Sequence, residues 1–217
     1  METMLHEFGH AVYDKYIDKT LPYIVRDPAH TFTTEAVAIF FQELAANADW
    51  MKEMLHLSHE EKQKIQTSST YLLGLAKLIF AQRSQVLRRF EKALYADPEQ
   101  DLNKLWRDLV STYQLITPPA GRNSPDRASK IHIATAPCYY HNYLLGYVLA
   151  QQRREQMKII APQSPSLVNQ PQVGKRFQQT IFAPGSSINW RELVIQSTGQ
   201  NLNPDIFVQS IKEKLSS

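Results

Sequence analysis

The residues best suited to chemistry stand near the start of the sequence, in the pentapeptide His6-Glu7-Phe8-Gly9-His10. Around it Met4, Phe8, Ala11, Val12 and Tyr13 recur at helical spacing, which predicts a helix from Thr3 to about Tyr16. At 3.6 residues per turn His6 and His10 lie about 40° apart on one face, so both imidazoles can reach a single tetrahedral Zn²⁺ at roughly 2.0–2.1 Å. Glu7 falls beside that pair, placed to accept a proton from water without being a ligand itself. Matches to this five-residue pattern also occur on solvated helices that bind nothing, so the neighbouring sequence has to decide. The flanking Met4, Leu5, Phe8, Gly9, Ala11 and Val12 predict a helix that faces the interior, where an unpaired His or Glu is costly.

A third donor follows at Glu35, inside the very apolar stretch Thr34-Glu-Ala-Val-Ala-Ile-Phe-Phe. A lone carboxylate in such a helix needs a cation. Two neutral imidazoles and one carboxylate leave a fourth position open, which is the donor set of a catalytic rather than a structural zinc. The bland alternative is a first-turn carboxylate favoured by the helix dipole, with Thr33 or Thr34 as the cap.

A second constellation lies downstream in Lys130-Ile-His132-Ile-Ala-Thr-Ala-Pro-Cys-Tyr139-Tyr140-His141-Asn-Tyr143. Attack on a peptide carbonyl creates an oxyanion, and fixed His and Tyr donors aimed at it lower the barrier electrostatically. Tyr140 and Tyr143 are three residues apart and so share a helix face, with His132 on the strand or loop leading in. Read without the metal motif, Tyr139, Tyr140, Tyr143 and Tyr147 would be an ordinary aromatic core stripe.

His6-Glu-Phe-Gly-His-Ala-Val-Tyr13, followed by Leu21-Pro22, Arg26 and Glu35, resembles the active-site region of the peptidyl-dipeptidase A (angiotensin-converting enzyme) family of zinc peptidases. More distantly it is similar to the thimet oligopeptidase and oligoendopeptidase group. The chain departs from the first family in having Thr34 where that family has His, and Ile39 where an acidic residue usually stands behind the metal ligands. Downstream, Lys130-x-His132 and the pair Tyr140 and Tyr143 fit the family pattern, Tyr139 with Asn142 being the other register. The closing run Phe182-Ala-Pro-Gly185-Ser-Ser187-Ile-Asn-Trp190 also resembles these peptidases; read as residues, it is a Pro184-Gly185 turn, a possible Ser187 cap and core anchors at Trp190 and Phe207.

The resemblance implies one Zn²⁺ held by His6, His10 and Glu35, with Glu7 as general base. It makes His132 and Tyr143 stabilisers of the tetrahedral intermediate, and gives Lys130 with Tyr140 or Tyr139 the terminal carboxylate of a short peptide. It also implies an all-α fold, a zincin helical bundle corresponding to the C-terminal half of a neurolysin-like or peptidyl-dipeptidase structure with little or no β. Residues 1–217 are then expected to form a single C-terminal catalytic portion, with an N-terminal half elsewhere completing the cleft. The competing reading is a truncated, catalytically silent helical fragment that binds zinc without turnover.

The elements that must position these groups read as helices. A second helix is expected from about Phe32 to His56, apolar nearly all round and centrally buried. A capping box at Ser58 and Glu61 opens a long helix that runs past Gly74 to Tyr95 and stops at Asp97-Pro98. Helices are expected over Leu102–Leu115 and Pro137–Ile160, with short ones near Gly174–Phe182, Trp190–Thr198 and Pro204–Leu215. Thr117–Pro125 and Ala161–Val173 read as loops.

The composition excludes several other classes. Of the 217 residues, 43% are hydrophobic and 21% charged, enough apolar residue for a sizeable core. A net charge of +3 makes no electrostatic case for nucleic acid or an anionic membrane, and Arg153-Arg154 and Lys175-Arg176 are isolated pairs. Cys138 is the single cysteine, so no intrachain disulfide forms. No apolar run approaches the ~20 residues of a transmembrane helix, and the compartment is left open with the cytoplasm slightly favoured.

Overall fold

The structure is a computed structural model that describes residues 1–216, and among these every regular element is a helix. The α-helices are α1 (Glu2–Tyr16), α2 (Thr31–Gln42), α3 (Ala48–Met54), α4 (His59–Ala96), α5 (Leu102–Gln114), α6 (Ile131–Ala134), α7 (His141–Ile160), α8 (Pro171–Phe177), α9 (Trp190–Thr198) and α10 (Pro204–Leu215). Contacts divide the chain into two compact units, one of Met1–Leu75 with Leu145–Ser217 and one of Ala76–Leu144. No helix among the described residues is long and apolar enough to cross a membrane.

The first unit is organised by α1 against α2. Gly9 makes their close approach possible, since a Cβ there would lie 2.6 Å from Ala38 Cα and 3.1 Å from the Val37 carbonyl oxygen. Gly146 of α7 plays the same part, because a Cβ at that position would lie 3.0 Å from Glu35 Cβ. Tyr13, Phe32, Ala36, Val37, Ile39, Phe40, Leu149, Met157 and Phe177 then close into one apolar core. The N-cap of α2 is His30: its Nδ1 accepts from Phe32 N, while its own N–H donates to Thr33 Oγ1, a capping box that the sequence pattern of Ser/Thr caps does not reveal.

The expected helix over 32–56 is two helices. After α2 the chain tightens into a 3-10 turn at Glu43–Ala46, and Asn47 takes an extended backbone from which its side chain caps Asp49 and Trp50 N–H. An Asx cap placed inside an apolar run ends the periodicity without changing it, which is why spacing alone missed the break. The capping box at Ser58 and Glu61 forms with both hydrogen bonds, and α4 runs unbroken through Gly74 to Ala96.

In the second unit Val86, Leu87 and Phe90 of α4 are buried, with Trp106 of α5 edge-on to Phe90 at 5.2 Å between centroids. The helix expected from Pro137 begins only at His141, because Cys138 sits at φ +56, the left-handed region, and reverses the chain first. His132 lies on the short helix α6 rather than on a strand or loop. Near the C-terminus Asn189, not Ser187, caps α9, while the Ser187 hydroxyl donates to the Pro184 carbonyl; Phe207 is a core anchor as expected.

Gly9→Val places two methyl groups where α1 and α2 leave no room for even a Cβ, and should destabilise the chain by about 1–3 kcal/mol or more. Thermal unfolding followed by circular dichroism measures it; an unchanged midpoint would contradict the helix contact.

Candidate metal centre

Three donors meet where α1 crosses α2. The His6 and His10 Nε2 atoms lie 3.5 and 3.8 Å from Glu35 Oε2, and the three ligand atoms all fall within 4.8 Å of one another. Ligands about 2.0–2.1 Å from a tetrahedral centre are separated by about 3.3–3.4 Å, so the observed spacings suit one zinc-sized ion. The imidazole rings stand nearly perpendicular, 4.9 Å between centroids, which lets each present Nε2 without the other in the way.

Glu35 is the fifth residue of α2 and only 2% exposed, among Ala36, Val37, Ala38, Ile39 and Phe40. It lies beyond the first turn, so the helix dipole is not its reason for being there, and Thr33 belongs to the His30 cap. Carboxylate burial of this degree is costly unless positive charge faces it. That demand shows on His6, whose pKa is raised above the ordinary imidazole value, first by its hydrogen bond to Glu35 and against burial, with the charge of Glu35, the Gln42 bond and the charge of Glu7 adding in the same direction.

The far side of each ring is fixed as well. His6 Nδ1 lies 2.9 Å from Gln42 Oε1, and because a carbonyl oxygen only accepts, Nδ1 is the donor of that bond, which turns Nε2 toward Glu35. His10 Nδ1 is hydrogen-bonded to Thr34 Oγ1 at 2.7 Å, which fixes the rotation of that ring. Ile39, where an acidic residue would have been looked for, is core at 1% exposure. Gln42 takes over that orienting role from two turns beyond Glu35, and the seven-residue spacing on α2 is the signal by which the sequence could have pointed to it.

Burial departs from expectation along α1. Gly9 and Tyr13 are buried, but Met4 is 62% and Phe8 53% exposed, and Glu7 is exposed next to the half-buried donors. The helix is thus inside on one face only, and the opposite face carries apolar side chains in solvent.

The second unit gathers the residues of the downstream constellation. His132 Nε2 lies 3.4 Å from Tyr143 Oη, and the His132 ring is edge-on to Tyr140 and Tyr143 at 5.0 and 5.6 Å. Tyr139 and Tyr140 flank Tyr143 at 5.2 and 5.4 Å, although both precede α7 rather than belonging to it. Tyr140 is buried, which pushes its phenol pKa up, with Arg83 opposing; Asn142 is buried as well, while Tyr143 stays half-buried. Lys130 is half-buried too, and its pKa is lowered by desolvation and then by Arg83.

Comparison with known proteins places these features in a family. The chain matches the model of peptidase family M3 over residues 1–213. It is 20% identical over 98% of its length to carboxypeptidase 1 of Bacillus subtilis (strain 168), of which it covers 46%. Similar folds are a Pyrococcus furiosus carboxypeptidase (TM-score 0.74, 19% identity, 97% of this chain and 46% of that one) and an M32 carboxypeptidase from Deinococcus radiodurans R1 (TM-score 0.73, 16% identity, 99% and 48%). The chain therefore spans slightly under half the length of these relatives.

Two substitutions test the donor set. Glu35→Gln should remove most of the zinc bound at equilibrium, whereas Gln42→Leu, which spares every donor, should weaken zinc about 10–100-fold. Competition titration with a chromogenic chelator measures both, and wild-type affinity in Glu35→Gln would exclude Glu35 as a ligand. With its paired histidines and buried glutamate on two crossing helices of an all-α fold, and with the family model matched over nearly its whole length, the chain belongs to peptidase family M3.

Proposed function

We propose that the chain is the catalytic portion of a zinc metallopeptidase acting on short peptides. The observation that carries this reading is the convergence of His6 Nε2, His10 Nε2 and Glu35 Oε2, each histidine held from behind. A zinc ion bound there supplies Lewis-acid polarisation of the scissile carbonyl and activation of water. Glu7, one residue from His6 and exposed, takes the proton from the attacking water and returns it to the leaving amine. Gln42 and Thr34 hold the two imidazoles with Nε2 turned toward Glu35, so the donors need no reorganisation.

The roles of the second constellation follow the family resemblance. His132 and Tyr143 donate to the oxyanion, a pairing supported by their mutual 3.4 Å contact, and Lys130 with Tyr140 or Tyr139 receives the substrate's terminal carboxylate. A lysine suits that task as a point charge, and half-burial strengthens it. Release of residues from a free C-terminus, whether as a peptidyl-dipeptidase, an oligopeptidase or in the manner named for the carboxypeptidase relatives, is the specificity this clamp favours. Because the chain spans under half of its relatives' length, an N-terminal half, as the family resemblance implies, is proposed to cover the exposed Met4 and Phe8 face and complete the cleft.

The second reading, a zinc-binding fragment without turnover, is favoured by that same coverage of under half of each relative. One assay separates the two: zinc-loaded chain incubated with a short peptide, with products read by mass spectrometry. Zinc-dependent cleavage that disappears in Glu7→Gln while the zinc stays bound supports catalysis by this chain; tight zinc with no cleavage supports the silent fragment. In an active chain Tyr143→Phe should lower kcat with little change in KM, because its hydrogen bond forms mainly in the transition state. Lys130→Ala should chiefly raise KM for peptides with a free C-terminus and leave amidated peptides unaffected.

A further inference from the structure

The second unit holds a cation to which the peptidase reading gives no task. Arg83 stands on α4 one turn beyond Phe80, whose ring is stacked on Tyr140 at 5.8 Å and edge-on to Tyr143 at 6.4 Å. Residues three apart share a helix face, so Arg83 extends the wall that Phe80 builds against the tyrosines. Its charge reaches both the Lys130 ammonium and the Tyr140 phenol. Desolvation and then Arg83 lower the pKa of Lys130, and Arg83 opposes the rise that burial gives Tyr140.

Two half-buried cations are thus held close enough to repel. The ion pairs among the described residues include neither of them, and no carboxylate figures among the charges acting on Lys130 or Tyr140. The neighbouring acids are engaged elsewhere: Glu91, further along α4, accepts from the Tyr95 hydroxyl and the Cys138 N–H, and Asp126 pairs with Arg122. Partial burial of like charges without counter-ions is unfavourable, and one carboxylate would neutralise only one of them. A ligand with two negative groups a few bonds apart neutralises both. The rings of Phe80 and Tyr140 offer such a ligand an apolar wall for its stem, while the guanidinium fork of an arginine fits a carboxylate with two parallel hydrogen bonds.

We propose that Arg83 is a specificity-determining residue that receives the side-chain carboxylate of a C-terminal aspartate or glutamate while Lys130 holds the terminal carboxylate, so that the preferred substrates are short peptides ending in an acidic residue. The inference rests on the assignment of Lys130 to the substrate's C-terminus. It adds a second anionic group to that end of the peptide, and with it a selectivity that a lone lysine does not supply.

Peptide binding to the zinc-loaded chain carrying Glu7→Gln, followed by NMR titration, tests this without relying on hydrolysis. The ligands are an acetylated tripeptide ending in glutamate and its twin ending in glutamine. The glutamate peptide should bind about tenfold more tightly, as for one added hydrogen-bonded charge pair. Adding Arg83→Gln should bring that ratio close to one, Arg83→Lys, which keeps the charge and loses the fork, should leave a reduced preference, and Lys130→Gln should weaken both peptides while the preference persists. Equal affinities for the twins, a preference that survives Arg83→Gln, equal weakening of both peptides by Arg83→Gln, or failure of both peptides to bind would each overturn the proposal. Because the readout is binding, a chain that never cleaves peptides can still show the preference, and a chain that cleaves both twins alike contradicts the role of Arg83 alone.

Discussion

Everything in the first unit is arranged around one unfavourable act, the burial of the Glu35 carboxylate in the middle of the apolar helix α2. Left alone, that charge would cost several kcal/mol, more than most single interactions return to a folded chain. Two imidazole nitrogens 3.5 and 3.8 Å away, carried four residues apart on α1, offset it by presenting either a proton or a metal ion. Contact at this range demands that the helices nearly touch. Gly9 allows α1 to do so and Gly146 allows α7 to approach Glu35 closely, so two residues without side chains are as necessary to the site as the donors.

Precision comes from behind the donors. Gln42 and Thr34, both on the helix that carries Glu35, fix the rotation of the two histidines of α1. One helix thus carries the carboxylate and orients both imidazoles, and any shift of α1 along α2 would break four contacts together. The N-cap of α2 at His30 frees Thr34 for this duty, since Thr33 completes the box. The second unit shows a looser version of the same economy: a histidine and three tyrosines gather at ring distances of 5–6.3 Å around the positive φ of Cys138, which turns the chain between His132 and Tyr143.

The sequence made the donors legible because their spacing is a consequence of helical geometry. His6 and His10 obey the four-residue rule, and Glu35 is conspicuous as the one charge in an apolar run. Long periodic elements were legible for the same reason, as α4 and its Ser58–Glu61 box show. What escaped was non-periodic. The Asn47 cap divides one apolar pattern into two helices, the left-handed Cys138 delays α7 to His141, and His30 caps a helix although histidine is not a usual cap. Gln42 escaped because an acidic residue at position 39 was the pattern sought, whereas a neutral amide two turns from Glu35 does the work. The outward face of α1 reads as core by composition and is exposed instead, since hydrophobicity records that a residue wants a neighbour and not which polypeptide provides it.

Zinc K-edge X-ray absorption on the chain loaded with one equivalent of Zn²⁺ tests the central claim most directly. The expected result is one tightly bound ion per chain with nitrogen and oxygen neighbours at about 2.0–2.1 Å, and the multiple-scattering signature of two imidazoles. A sulfur shell at about 2.3 Å, which only Cys138 or a methionine could furnish, or a spectrum with no imidazole signature, would contradict the assignment of His6, His10 and Glu35.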